Sequence, residues 1–157
     1  MLIMIKHVLS VFLITMIPGV EVRGALPYAL GVLGMQPWLA LLVATLANLC
    51  VAPLFFLIEK PALAILAKCP RFQRYRSRLG IRSKSTLAKY GLFLGLAIFV
   101  AIPLPGTGAY TGCLLAEIVH MKRPLALVSI SLGVLGACAI VFLVSIGLLG
   151  GVMAKWF

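Results

Sequence analysis

The stretch Ala101–Tyr110 reads AIPLPGTGAY, and it places two prolines and two glycines in the middle of an apolar run from Tyr90 to Val119. Proline removes a backbone donor and clashes with the preceding turn, while glycine permits the chain to reverse. The run therefore reads as two short limbs with a break between them. The same break occurs earlier: IPGVEVRGALPYALGVLGMQPW (Ile17–Trp38) aligns with LPGTGAYTGCLLAEIVHMKRPL (Leu104–Leu125). Pro18-Gly19 stands nineteen residues before Pro37, and Pro105-Gly106 stands nineteen residues before Pro124. Each second proline opens a long apolar run, Trp38–Ile58 and Leu125–Ala154, and each break follows an apolar limb, Val8–Ile17 and Gly91–Ile102. The spacing predicts two copies of one unit. Repeat 1 covers 1–59, a basic linker 60–89 and repeat 2 90–157, all within a single membrane domain.

Composition decides the solvent. The chain is 63% hydrophobic and 11% charged, against about 25% charged residues in soluble domains. A soluble domain of this size could not hide so much apolar surface, so the chain is an integral membrane protein. Its net charge of +11 would suggest nucleic acid in a soluble chain, a partner that the membrane setting excludes. Nine of the basic residues lie in Lys60–Lys89, which has no acid. Beside membrane segments such a block reads as a cytoplasmic loop, with contact to anionic lipid as a second role.

Length sets how each unit sits. A crossing helix needs about 20 apolar residues, and the limbs after the breaks, Leu26–Met35 and Ala109–Met121, are shorter. At about 1.5 Å per residue they reach only part of the way through. Each Pro-Gly is thus expected at the tip of a re-entrant hairpin, followed by one spanning helix. One crossing per unit inverts the second copy relative to the first. The expected fold is all-α integral membrane, with two inverted repeats, each a re-entrant helical hairpin plus one transmembrane helix, joined by a basic cytoplasmic loop. The charges agree: hairpin 1 exits through uncharged Met35-Gln36-Pro37, hairpin 2 through Lys122-Arg123-Pro124. Both termini, with Lys6 and Lys155, then face outside a cell (inner or plasma) membrane. The rival topology makes every limb a full span, about six tilted helices, and requires heavy bilayer thinning at Leu26–Met35. The first 17 residues have a second reading as a signal peptide with Lys6 as its basic region. Val22, Arg23 and Gly24 make a poor cleavage site, and the segment belongs to the repeat.

Irregular backbone inside a membrane is tolerated where protein covers it or where it lines a watery cavity. Tips from opposite faces would meet near the midplane, where inverted-repeat transporters place their sites. The returning limbs start there, and helix N-termini favour anions. Candidate binding residues are Pro18, Gly19, Glu21, Arg23, Pro105, Gly106, Thr107, Tyr110, Glu117 and Asn48. The chain has three acids, all Glu, and Glu21 lies just past the first tip, where an ionisable group is a functional candidate by default. Burial favours the protonated carboxyl, making Glu21 a candidate carrier of a coupling proton, and Arg23 a candidate grip for phosphate or carboxylate. The structural alternative is that Glu21 offsets the helix dipole and pairs with Arg23.

In the second copy Gly108 and Tyr110 take the places of Glu21 and Arg23. Thr107, Tyr110 and Thr111 offer hydroxyls, with Thr107 equally readable as an N-cap. Glu117 pairs in a bland reading with His120 or Lys122, Glu59 reads as interfacial, and Asn48 lines a pathway or bonds a neighbouring helix. Gly91-x-x-x-Gly95 and Gly147-x-x-x-Gly151 have close-packing spacing.

No enzyme is expected. The chain lacks Asp, so no Walker-B acid and no Ser-His-Asp set can form, and G-x-S-x-G, H-E-x-x-H and G-x-x-x-x-G-K-[ST] are absent. The four cysteines show no C-x-x-C spacing; Cys50, Cys113 and Cys138 read as small hydrophobes. No metal or cofactor is expected.

The stretches PGVEVRGALPYALG and KYGLFLGLAIFVAIPLPGTGAYTG, with the spanning run and basic loop between them, resemble the small multidrug export protein family across nearly the whole chain. That family looks like a distant relative of the DedA and VTT-domain membrane proteins, and the resemblance implies paired re-entrant hairpins. Some DedA-like proteins are implicated in translocating anionic lipids such as undecaprenyl phosphate, through acidic and arginine residues near the hairpins. Glu21 and Arg23 are the matching residues here. The expected function is a proton-coupled transporter or translocase of an anionic amphipathic substrate, such as a lipid phosphate or drug-like compound, working among membrane lipids as a homo-oligomer. The alternative is a non-transporting scaffold or assembly factor acting through its basic loop.

Overall fold

An apolar chain with no water around it must satisfy its backbone within each segment, and helix is the local solution. The computed structural model describes residues 2–66, 91–104 and 106–153, which contain no strand. The elements are α1 (Leu2–Thr15), α2 (Glu21–Pro27) running into a π turn (Tyr28–Val32), α3 (Pro37–Leu66), α5 (Ala109–Ile118) and α6 (Arg123–Met153), with α4 (Gly91–Ala101) preceding α5. Most of the basic loop, with Cys69 and Arg71, and also Pro105 and Lys155 lie outside the described residues, as does the side chain of Glu59.

Two helices are long and apolar enough to cross a bilayer: Pro37–Ile58, with 22 residues, and Arg123–Leu148, with 26. At about 1.5 Å per residue the shorter is about 33 Å long, enough for a hydrocarbon core of about 30 Å. Only 39% and 44% of these windows is buried within the protein. Leu57 and Leu148 stand 80% and 81% exposed, an apolar exterior that suits lipid and not water. The other helices are shorter, at 14 residues in α1, seven and five in α2 and its π turn, and 10 in α5.

The breaks fall where the prolines and glycines put them. Gly19 and Gly106 have φ of +90° and +88°, a conformation that glycine adopts without steric cost. The turns match in hydrogen bonding as well: Val20 N–H donates to Ile17 O at 3.1 Å, and Thr107 N–H to Leu104 O at 3.2 Å. Pro27, inside α2, has no N–H to continue the ladder, and the helix widens into its π turn directly afterwards. Pro37 begins α3 and Pro124 is the second residue of α6, early positions where the missing donor costs nothing. α3 runs on to Leu66, past the expected end at Ile58 and into the basic block.

α3 and α6 pack on each other; α2 contacts both, and so does α5. Small buried residues, among them Ala40, Ala44 and Ala47 on α3 and Ala126 on α6, let backbones approach. α4 lies against α6, where a Cβ on Gly133 would come within 2.6 Å of the Ala97 carbonyl oxygen, and Ser129 donates to Phe93 O at 2.6 Å. The close-packing glycines are thus Gly133, Gly136 and Gly112. Gly147, expected in that role, faces open space, and Gly91 begins α4 with φ of +74°. Spacing alone does not tell which side of an evenly apolar helix meets a neighbour. Cys113 and Cys138 are buried and Cys50 is exposed on the apolar surface.

Candidate functional site

The two breaks meet. Glu21 opens α2, buried to 4% exposure, and holds a left-handed φ of +46°. A non-glycine residue in that region is strained by about 1–3 kcal/mol, and such strain clusters at functional sites. Its carboxylate crosses to the start of α5, where Ala109 N–H donates to Oε2 at 3.1 Å and Tyr110 N–H approaches Oε1 at 3.5 Å. Glu21 therefore stands in the first turn of α2 and also caps α5, so two positive helix ends converge on one carboxylate. Gly108 makes the approach possible: a Cβ there would overlap the Glu21 carboxylate.

This arrangement corrects two expectations. The amide dipoles at the second break are not left free, because the protein supplies their anion. Thr107 is not the N-cap of α5; Gly108 holds that position and contributes no side-chain bond. The Thr107 hydroxyl instead ties the loop, donating to Ile102 O at 2.5 Å or Leu104 O at 2.9 Å. It also accepts a bond from Arg23 Nη2 at 3.0 Å.

Arg23 makes the second crossing. Its Nη1 donates to Leu104 O, and its Nη2 lies 3.3 Å from Ile102 O. These carbonyls lie one and three residues past the end of α4 at Ala101, and their partial negative charge suits a cationic donor. A third crossing runs the other way, from the Tyr110 hydroxyl to Met16 O at the end of α1, at 2.5 Å. Arg23 and Tyr110 hold equivalent places in the two stretches aligned above, and each binds the backbone that ends the other's preceding limb. Burial strengthens such bonds and makes an unmade one costly. One is unmade: Arg23 Nε is buried with no partner.

A cavity of about 200 Å³ lies between the breaks, lined by Pro18, Gly19, Glu21, Arg23, Gly106 and Tyr110, with Gly108, Thr111 and Leu114 completing it. Six residues expected at the site are thus brought together. Thr107 sits behind them, joined through Arg23. Asn48 and Glu117 do not line this cavity. Asn48 is buried in α3 with its Oδ1 unpartnered, and Glu117 lies near the far end of α5, its carbonyl accepting His120 N–H at 3.1 Å. Gly108 was visible in the sequence only as the counterpart of Glu21. A second cavity, about 370 Å³, shares Arg23 and runs along α6; nothing in the apolar run of α6 announced it.

Residues 21–140 match the family described as "Putative small multi-drug export protein". The match covers well over half of the chain, and the protein belongs to this family. It takes in α2, α5 and every Glu21, Arg23 and Tyr110 donor or acceptor named above except Met16 O. Comparison with curated proteins and with solved structures returned no match.

Proposed function

We propose that this export-family member is a proton-coupled transporter of an anionic amphipathic substrate, with its site between two re-entrant hairpins of an inverted repeat. The observation that carries the reading is the Glu21 carboxylate held on the α5 amides inside the cavity between the breaks. While charged, Glu21 occupies the anion seat and joins the two hairpins. Protonation weakens its hold on the amides, because a neutral carboxyl accepts less strongly than a carboxylate. The α5 N-terminus is then available to the anionic group of a substrate, beside Arg23 in the same cavity. Proton uptake and anion capture belong to one event.

The hairpin and repeat parts of the reading draw on length and reciprocity. Helices of 14 and 10 residues flank the breaks, too short for a core that needs about 20. Positions offset by 87 residues behave alike: Gly19 with Gly106 in φ, and α2 on α6 with α5 on α3 in packing. Glu21 touches Gly108, its own counterpart, as residues on a two-fold axis do. In this topology the basic loop is cytoplasmic and both termini lie outside.

Proteoliposomes with an entrapped pH dye test the coupling. Decyl phosphate should drive proton movement through wild-type protein faster than through protein-free vesicles, and Glu21→Gln should reduce the rate to the protein-free level. Equal rates in wild type and Glu21→Gln would reject the assignment of the proton to Glu21.

A further inference from the structure

We infer that the cavity along α6 is the seat for the apolar chain of a single-tailed, bilayer-dissolved amphiphilic anion whose head is held by Arg23. The inference rests on the transport reading above and names its substrate class.

The cavity, about 370 Å³, is in the range of small-molecule sites, roughly 300–1,000 Å³. Its walls divide by exposure. Val141 and Ser145 are buried, while Ile140, Val144 and Leu148 are 41%, 52% and 81% exposed on the apolar exterior. These positions recur at helical spacing along one face of α6, so the cavity is a groove open to the side that lipid covers. Pro27 and Pro103, from the segments beside the two breaks, form its other wall. A ligand enters such a groove from the bilayer.

Charge selects the ligand. Among the described residues, Arg23 is the only charged one lining the groove, and it also lines the cavity between the breaks. Its Nη atoms are engaged by Leu104 O, Ile102 O and Thr107, while its Nε is buried with no partner. The guanidinium keeps its full charge at the groove wall, and an anionic head balances it. A cationic head would meet the guanidinium with no acid among the described lining residues to balance it. The groove's size admits one chain, so a two-tailed phospholipid would leave a tail outside.

The probes are butyl, octyl and decyl phosphate, with decyltrimethylammonium as the opposite-charge control, binding to full-length protein in nanodiscs and to empty nanodiscs. Protein-dependent affinity should rise with chain length and favour decyl phosphate over the cation by about tenfold or more, the size of one well-made charge-assisted contact. Val144→Phe and Ile140→Phe, apolar exchanges on an exterior that already carries such residues, should weaken decyl phosphate by about tenfold and leave butyl phosphate unchanged. Arg23→Gln, which removes the charge, should lower the preference for the anion. Decyl phosphate binding unchanged by both phenylalanine variants, or equal binding of the cation, would overturn the inference. The two readings fail separately. Chain-length-dependent binding without Glu21-dependent proton movement keeps the groove and removes the coupling; the reverse keeps the transporter and removes the groove.

Discussion

The Glu21 carboxylate and the space in front of the Gly108 Cα are the same place: a Cβ at residue 108 would overlap the carboxylate that caps α5. Gly108 has no left-handed backbone to explain its glycine, since its φ is −80°. The need is steric. Gly108→Ala should therefore destabilise the detergent-solubilised protein by about 1–3 kcal/mol, as overpacking does. In a Glu21→Ala background the same change should cost under about 0.5 kcal/mol. Additive losses in thermal unfolding would show that the two positions do not share that space.

Tyr110→Phe removes a hydroxyl and leaves Met16 O without its 2.5 Å partner. The loss should be about 1 kcal/mol, with up to about 3 kcal/mol if the carbonyl stays dry. Arg23→Lys cannot reproduce a fork that binds Leu104 O, Ile102 O and Thr107 together, and it should cost more than Tyr110→Phe. A reversed order in unfolding midpoints would contradict the assigned roles.

Gly19→Ala and Gly106→Ala both place a Cβ at φ near +90° and should each cost about 1–3 kcal/mol. Gly147→Ala, with open space around it, should be neutral within about 0.5 kcal/mol. The comparison separates backbone need from glycine content, and a neutral Gly106→Ala would remove the second turn as drawn.

Single cysteines at Val20 and Gln36, in a protein freed of its four native cysteines, test the hairpin. An impermeant maleimide should label position 36 from outside and leave position 20 unlabelled from the cytoplasmic face. Labelling of positions 20 and 36 from opposite faces would establish full spans in place of the re-entrant hairpin.

Replacing Arg71, Arg74, Arg76 and Arg78 with glutamine tests the scaffold alternative. Under the transport reading, decyl phosphate-driven proton movement in proteoliposomes should stay within about twofold of wild type, because these charges set orientation through a bias to which other loop residues contribute. Loss of activity with unchanged topology would favour action through the loop.

How much was legible follows from the range of each constraint. Proline and glycine act on their own backbone, so the breaks at Pro18-Gly19 and near Gly106 were readable from residue type. The ends of helices were less so: α3 continues to Leu66, through Pro61, although proline removes a backbone donor there. Thr107 was read as a cap from its identity, yet the cap of α5 comes from Glu21, 88 residues away from Ala109. Of the glycines read from their spacing as close-packing, Gly91 and Gly147 stand in open space for a similar reason. In a helix apolar all round, sequence period does not mark the face that packs.

By itself the sequence determined the membrane class, the two spanning helices and the two matched breaks, since apolar length and backbone chemistry are properties of residues taken in order. Tertiary structure alone decided that Glu21 closes on Gly108, that Arg23 and Tyr110 cross in opposite directions, and that a groove follows α6. Those outcomes depend on which apolar surfaces come together, and dispersion between similar hydrocarbon faces leaves little trace in the order of leucines, valines and alanines.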